Sequence, residues 1–106
     1  MADEAALEAA LATVGIPVFY NQATSTAKMP YLIFFFKMTD SSSYADGKLW
    51  QQNDRYDVEL DEPSKDFALE KKVRDALEAA GIPYEQIEYP QDGWLQEIFE
   101  TTVVSK

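Results

Sequence analysis

The stretch "MPYLIFFFKM", Met29–Met38, decides how the rest of the chain is read. After Pro30, six consecutive residues, Tyr31, Leu32, Ile33, Phe34, Phe35 and Phe36, are apolar or aromatic, so both faces of an alternating strand are apolar. Such a strand asks to be covered on both sides. A chain of 106 residues is expected to form one domain, residues 1–106, and a domain that small rarely buries a strand twice. One set, Tyr31, Ile33 and Phe35 or Leu32, Phe34 and Phe36, is therefore expected in the core and the other against a neighbouring subunit.

Outward from this strand, the alternation is cleaner between Lys48 and Glu62. Trp50, Tyr56, Val58 and Leu60 fall on one face, and Gln51, Asn53, Arg55, Asp57, Glu59 and Asp61 on the other. The two strands form a long antiparallel hairpin, and "TDSSSYADG", Thr39–Gly47, has the turn-forming composition of a mobile connection. Ser41, Ser42, Ser43, Tyr44 and Asp46 are the candidate partner-binding residues of that loop.

Two helices flank the hairpin. In the first, Ala2 to Val14, the residues Leu7, Leu11 and Val14 make a narrow apolar stripe. In the second, after Pro63 and with Ser64 as its expected N-cap, Leu69, Val73, Ala76, Leu77 and Ala80 make the apolar face. Glu70 and Arg74, Lys71 and Asp75, and Arg74 and Glu78 are spaced as surface pairs. Each helix ends at Gly-Ile-Pro, Gly15–Pro17 and Gly81–Pro83, where glycine supplies the left-handed position and proline prevents continuation. The matched punctuation fits either a duplicated helix–turn–strand unit or two helices that each need a stop.

"YEQIEY" alternates as a strand, "PQDG" turns, and "WLQEIFETTVV" is read as a strand because its Trp, Ile, Phe, Thr and Val favour one. The expected fold is α+β. A mainly antiparallel sheet of about four strands carries two helices packed on one face, in the order α-β-β-β-α-β-β.

Composition excludes much chemistry. The chain has no cysteine and no histidine, which removes thiolate metal sites, disulfides and the His-dependent nucleophilic pairs. Ser41–Ser43 lack the strained elbow a serine nucleophile needs, and the four glycines make no phosphate-binding loop. No catalytic residue, cofactor or metal site is expected, and the protein reads as a non-enzyme. Asp57, Glu59 and Asp61 share a strand face, but same-face neighbours stand about 6.6 Å apart, wide for one cation. They are expected to form a solvated or channel-facing acidic stripe. Trp50 and Trp94 are expected as core or interface anchors.

Nineteen acidic and nine basic residues give a formal net charge of -10, which disfavours gripping a nucleic acid. No apolar run approaches the roughly 20 residues of a spanning helix, and Asp3 and Glu4 stand where a signal peptide carries positive charge. The expectation is a soluble cytoplasmic protein with no membrane partner.

The order of "GIPVFYNQA", "MPYLIFFFKM", "YADGKLWQQNDRYDVEL" and "LEKKVRDALEAAGIPYE", followed by a Trp-led last strand, resembles the small tail-completion proteins of long-tailed bacteriophages. These are also called tail terminators or tail-to-head joining proteins. Met29-Pro30-Tyr31, Tyr44-Ala45-Asp46-Gly47 and Gly81-Ile82-Pro83-Tyr84 carry most of the likeness, which spans nearly the whole chain. The resemblance implies a structural subunit that assembles into a ring, a hexamer, at the head-proximal end of the tail. The ring would stop tail-tube polymerisation and join the tail-tube protein to a head connector protein, with DNA passing through unbound. It implies assembly in the host cytoplasm and a final place in the virion neck. The serine-rich "SSSYADG" stretch departs from the family pattern, which puts the connector-contacting loop in question. A second reading is a monomeric acidic binding module that mimics nucleic-acid charge, with carboxylates spread over an exposed surface.

Overall fold

Both Gly-Ile-Pro sequences end a helix and return the chain to the sheet. Gly15 and Gly81 take φ of 92° and 71°, the left-handed region that only glycine enters at little cost. At the second site the Ile82 N–H donates to the Leu77 carbonyl, closing the helix in the manner of a Schellman turn. The computed structural model describes residues 2–45 and 48–104, with side chains described outside 40–51. Along it run α1 (Glu4–Ala12), β1 (Val18–Tyr20), β2 (Tyr31–Ala45), β3 (Lys48–Glu62), α2 (Phe67–Ala79), β4 (Tyr84–Pro90) and β5 (Leu95–Val104).

The class is α+β in the expected order, and the sheet has five strands rather than four, arranged β1-β2-β3-β5-β4. The extra strand is β1, three residues that pair parallel with Leu32–Phe34 while every other pairing is antiparallel. The two helix–turn–strand units therefore end on opposite edges of the sheet, one parallel to its neighbour and the other antiparallel. The C-terminal segment is a strand, as its β-branched and aromatic residues require.

A single core holds the layers together. Leu7 and Leu11 from α1, Val14 just after it, and Leu69, Val73 and Leu77 from α2 pack on Leu32, Phe34, Val58, Leu60, Phe99 and Val103 of the sheet. The cross-strand register explains the choice, since Phe34 stands opposite Val58, and Val58 opposite Phe99. Alternation then puts Leu32, Leu60 and Val103 on the same face. Leu32 and Phe34 thus belong to the core set, which leaves Tyr31, Ile33 and Phe35 on the face without helices. Phe36 follows the core phase but lies beyond the helices, 46% exposed, with an edge contact to Tyr56 at 5.7 Å between ring centres.

Two local expectations are corrected. The N-cap of α2 is Asp66, whose carboxylate accepts from the Leu69 N–H at 3.0 Å, and not Ser64. Asp does the capping because it sits directly before Phe67, where the backbone is still extended. The stretch from Thr39 to Ala45 is strand and not loop. Its residues pair with Lys48–Asp54, and register shifts after Phe36, Thr39 and Ser43 take up the poor β-formers as bulges. Asp46 and Gly47 lie outside the described residues. β1 meets β2 only at Leu32–Phe34, and β5 meets β3 only from Asn53 onward, so the distal hairpin runs past the sheet as a two-stranded ribbon. The molecule is accordingly elongated, 53 × 24 × 22 Å.

Candidate interaction face

The candidate interface residues and the acidic stripe turn out to be cross-strand neighbours on one face. Tyr31 stands opposite Asp61, Ile33 opposite Glu59 and Phe35 opposite Asp57. The rows continue across the sheet: Glu59 to Ile98 to Ile87, Asp61 to Gln96 to Tyr89, and Asp57 to Glu100 to Glu85. At the other edge Phe19 pairs with Ile33, and its ring meets Tyr31 edge-on with centres 5.8 Å apart. Four apolar or aromatic side chains, Phe19, Tyr31, Ile33 and Phe35, thus flank a line of three carboxylates. Neither helix reaches this face.

The carboxylates are less solvated than an open face suggests. Asp57 and Asp61 are 6% and 3% exposed. Burial comes first and the charge of Asp61 second in pushing Glu59 up to about 7. Asp61 is itself raised by burial, against hydrogen bonding from Glu59, then Tyr31 and Gln96, that favours its ionised form. Lys37, in the bulge after Phe36, reaches Asp57 and Glu100 at 3.3 Å each and is raised by them. The expected solvated stripe is instead a largely buried one, paired with Lys37 at its Asp57 end.

The remaining candidates are placed as follows. Leu32 and Phe34 are core, and Phe36 lies on the opposite side of the sheet. Ser41, Ser42, Ser43 and Tyr44 have strand backbone paired with Asn53, Gln52, Gln51 and Leu49, and their side chains, like that of Trp50, lie outside the described ones. Trp94 is partly buried just before β5. Phe19 and Lys37 went unnoticed in the sequence. Phe19 carried no signal, since Val18, Phe19 and Tyr20 are all apolar or aromatic, and only the pairing of β1 with β2 sets it beside Tyr31.

No family profile matches the chain, and no curated protein matches it.

Proposed function

We propose that the protein is a structural subunit of a homo-oligomeric ring, of the kind that completes a phage tail, and that the Phe19–Tyr31–Ile33–Phe35 face is where a neighbouring subunit docks. One observation carries the reading: both helices pack on the Leu32 and Phe34 side of a strand apolar on both faces, and the other side, where Ile33 is 9% exposed, is rich in aromatic side chains with no helix over it among the described residues. Aromatic residues bring large contact area at low entropy cost, the usual currency of an interface. The ring at the head-proximal end of the tail, the tail-tube and head-connector partners, and the neck location come from the sequence resemblance.

Joining the two candidate sets on one face changes how the ring is drawn. A subunit that covers Ile33 also covers Glu59 opposite it, because directly paired side chains stand about 5 Å apart. The Asp57–Glu59–Asp61 line then belongs to the subunit contact, where a basic group of the neighbour would meet it, and the lumen is lined by other acidic residues. Burial of Asp57 and Asp61 weighs against the charge-mimic alternative, which needs its carboxylates displayed.

Two aspartate substitutions test the assignment. Phe34→Asp puts an unpaired carboxylate into the core and should unfold the domain. Phe35→Asp, one residue on and facing outward, should leave a folded chain that no longer assembles. Circular dichroism and light-scattering mass, measured at high concentration and with tail-tube protein present, separate the outcomes. A wild-type chain that stays monomeric under both conditions overturns the ring.

A further inference from the structure

Across the sheet from this face, three glutamates from three elements converge. Glu62 ends β3, Glu70 lies in the first turn of α2, and Glu97 takes an inward position on β5. They are 0%, 2% and 0% exposed. Nothing in the spacing of the three residues announces them, although Glu97 interrupts an inward phase otherwise held by Phe99, Thr101 and Val103. Glu70, spaced for a surface pair with Arg74, is turned inward instead, and Arg74 donates to the Gln86 side chain.

The donors in this cluster all serve one side of it. Lys65 Nζ lies 2.8 Å from Glu70 Oε1, 3.0 Å from Glu97 Oε1 and 2.7 Å from Glu88 Oε1. Gln86 Nε2 donates to the same two buried oxygens, at 3.1 Å to Glu70 and 3.3 Å to Glu97. Four oxygens on the other side, both of Glu62 and Oε2 of Glu70 and Glu97, are buried with no hydrogen-bond partner among the described residues. Glu62 is the telling member: its side chain is fully buried, points into the cluster, and neither oxygen has a donor among the described residues unless a proton is shared with Glu70. A buried carboxylate in that state is costly unless it takes up a proton or a positive charge meets it.

The spread of the oxygens indicates what fits. One carboxylate oxygen from each of Glu62, Glu70 and Glu97 lies within 4.8 Å of the other two, the sole such group of three among the described residues. Calcium–oxygen distances of about 2.3–2.6 Å let two ligands of one ion stand up to about 4.6–5.2 Å apart, so all three carboxylates are close enough to share one calcium-sized ion. Magnesium, at about 2.1 Å, demands a stricter octahedral arrangement and gives up its waters reluctantly, which suits a cage of protein carboxylates less well. Lys65 and Gln86, by holding the Oε1 atoms, orient the carboxylates as outer-shell partners orient metal ligands.

We propose that Glu62, Glu70 and Glu97 bind a divalent cation of calcium size, tying the end of β3 to α2 and β5. The two oxygens of Glu62 and one each from Glu70 and Glu97 supply four ligands, and water entering beside the partly exposed Lys65 and Glu88 completes the shell. This site is independent of the assembly reading, since it lies on the other side of the sheet.

The test uses the full chain in metal-stripped buffer near neutral pH. Calorimetric titration with calcium chloride should show saturable binding of one ion per chain, tighter than magnesium chloride gives. Manganese chloride should broaden amide resonances centred on Glu62, Glu70 and Glu97. Glu62→Gln, whose amide can donate to the two orphaned Oε2 atoms, should fold and lose more than about tenfold in calcium affinity, the least that even an outer-shell partner costs. Glu8→Gln on the exposed side of α1 should lose none. Absence of saturable binding, broadening centred on Asp57–Asp61, or a folded Glu62→Gln with unchanged affinity each overturns the proposal. If Glu62→Gln does not fold, the manganese map of the wild-type chain decides.

Discussion

Glu59 shows how much one residue's behaviour depends on what lies across the strand. In the sequence it is one of three alternating acids, indistinguishable from Asp57 and Asp61. In the fold, burial and then Asp61 raise it to about 7 from an ordinary 4.5. For a carboxyl group whose folded value is raised, the folded state holds a proton that the unfolded chain has released. The contribution of Glu59 to stability is therefore complete below its unfolded value, is lost as pH rises toward about 7, and does not change above that. Thermal melts of wild type and Glu59→Gln from about pH 5 to about pH 8 should separate progressively, with the variant losing less stability as pH rises. Parallel curves would mean that Glu59 is as solvated as its neighbours in sequence suggest.

At the scale of elements, the helices were set by local signals. Gly and Pro act on the residues beside them, so both helix ends were legible without knowing the fold. The start of α2 was misplaced by two residues because Ser64 and Asp66 are both good caps, and only the backbone turn at Phe67 selects between them. Asp66→Ala should cost about 1 kcal/mol, seen as a lower denaturation midpoint with an unchanged slope. Ser64→Ala should cost nothing measurable. The strand from Thr39 to Ala45 was illegible for another reason: serine-rich sequence favours turns, and what makes it a strand is the long partner β3 that pairs with it across three register shifts.

For the molecule as a whole, the order of strands distributes stability unevenly. β3 from Asn53 to Asp61 is hydrogen-bonded on both sides, by β2 and by β5, whereas Ser41–Ser43 have a partner on one side alone. Amide exchange should accordingly be slowest in β3 between Val58 and Leu60, over the core, and faster by orders of magnitude in Ser41–Ser43 of the free chain. Ring assembly that engages the ribbon would slow Ser41–Ser43, and assembly through the Tyr31–Phe35 face alone would not. Equal protection along the whole hairpin of the monomer would show that the ribbon is held by more than its own pairing.

The sequence by itself determined the periodic elements, their stops and the two-faced character of Tyr31–Phe36, because helix and strand phase are written in the spacing of side chains along one segment. It left open which phase of that strand is core. The tertiary structure decided that by seating Phe34 against Val58 and Phe99 beneath both helices. It also decided that the acidic stripe and the aromatic set share a face, and that Glu62, Glu70 and Glu97 meet. The three glutamates stand 8, 27 and 35 positions apart in the chain, and a pattern within one segment carries no information about which side chains another segment will bring opposite it.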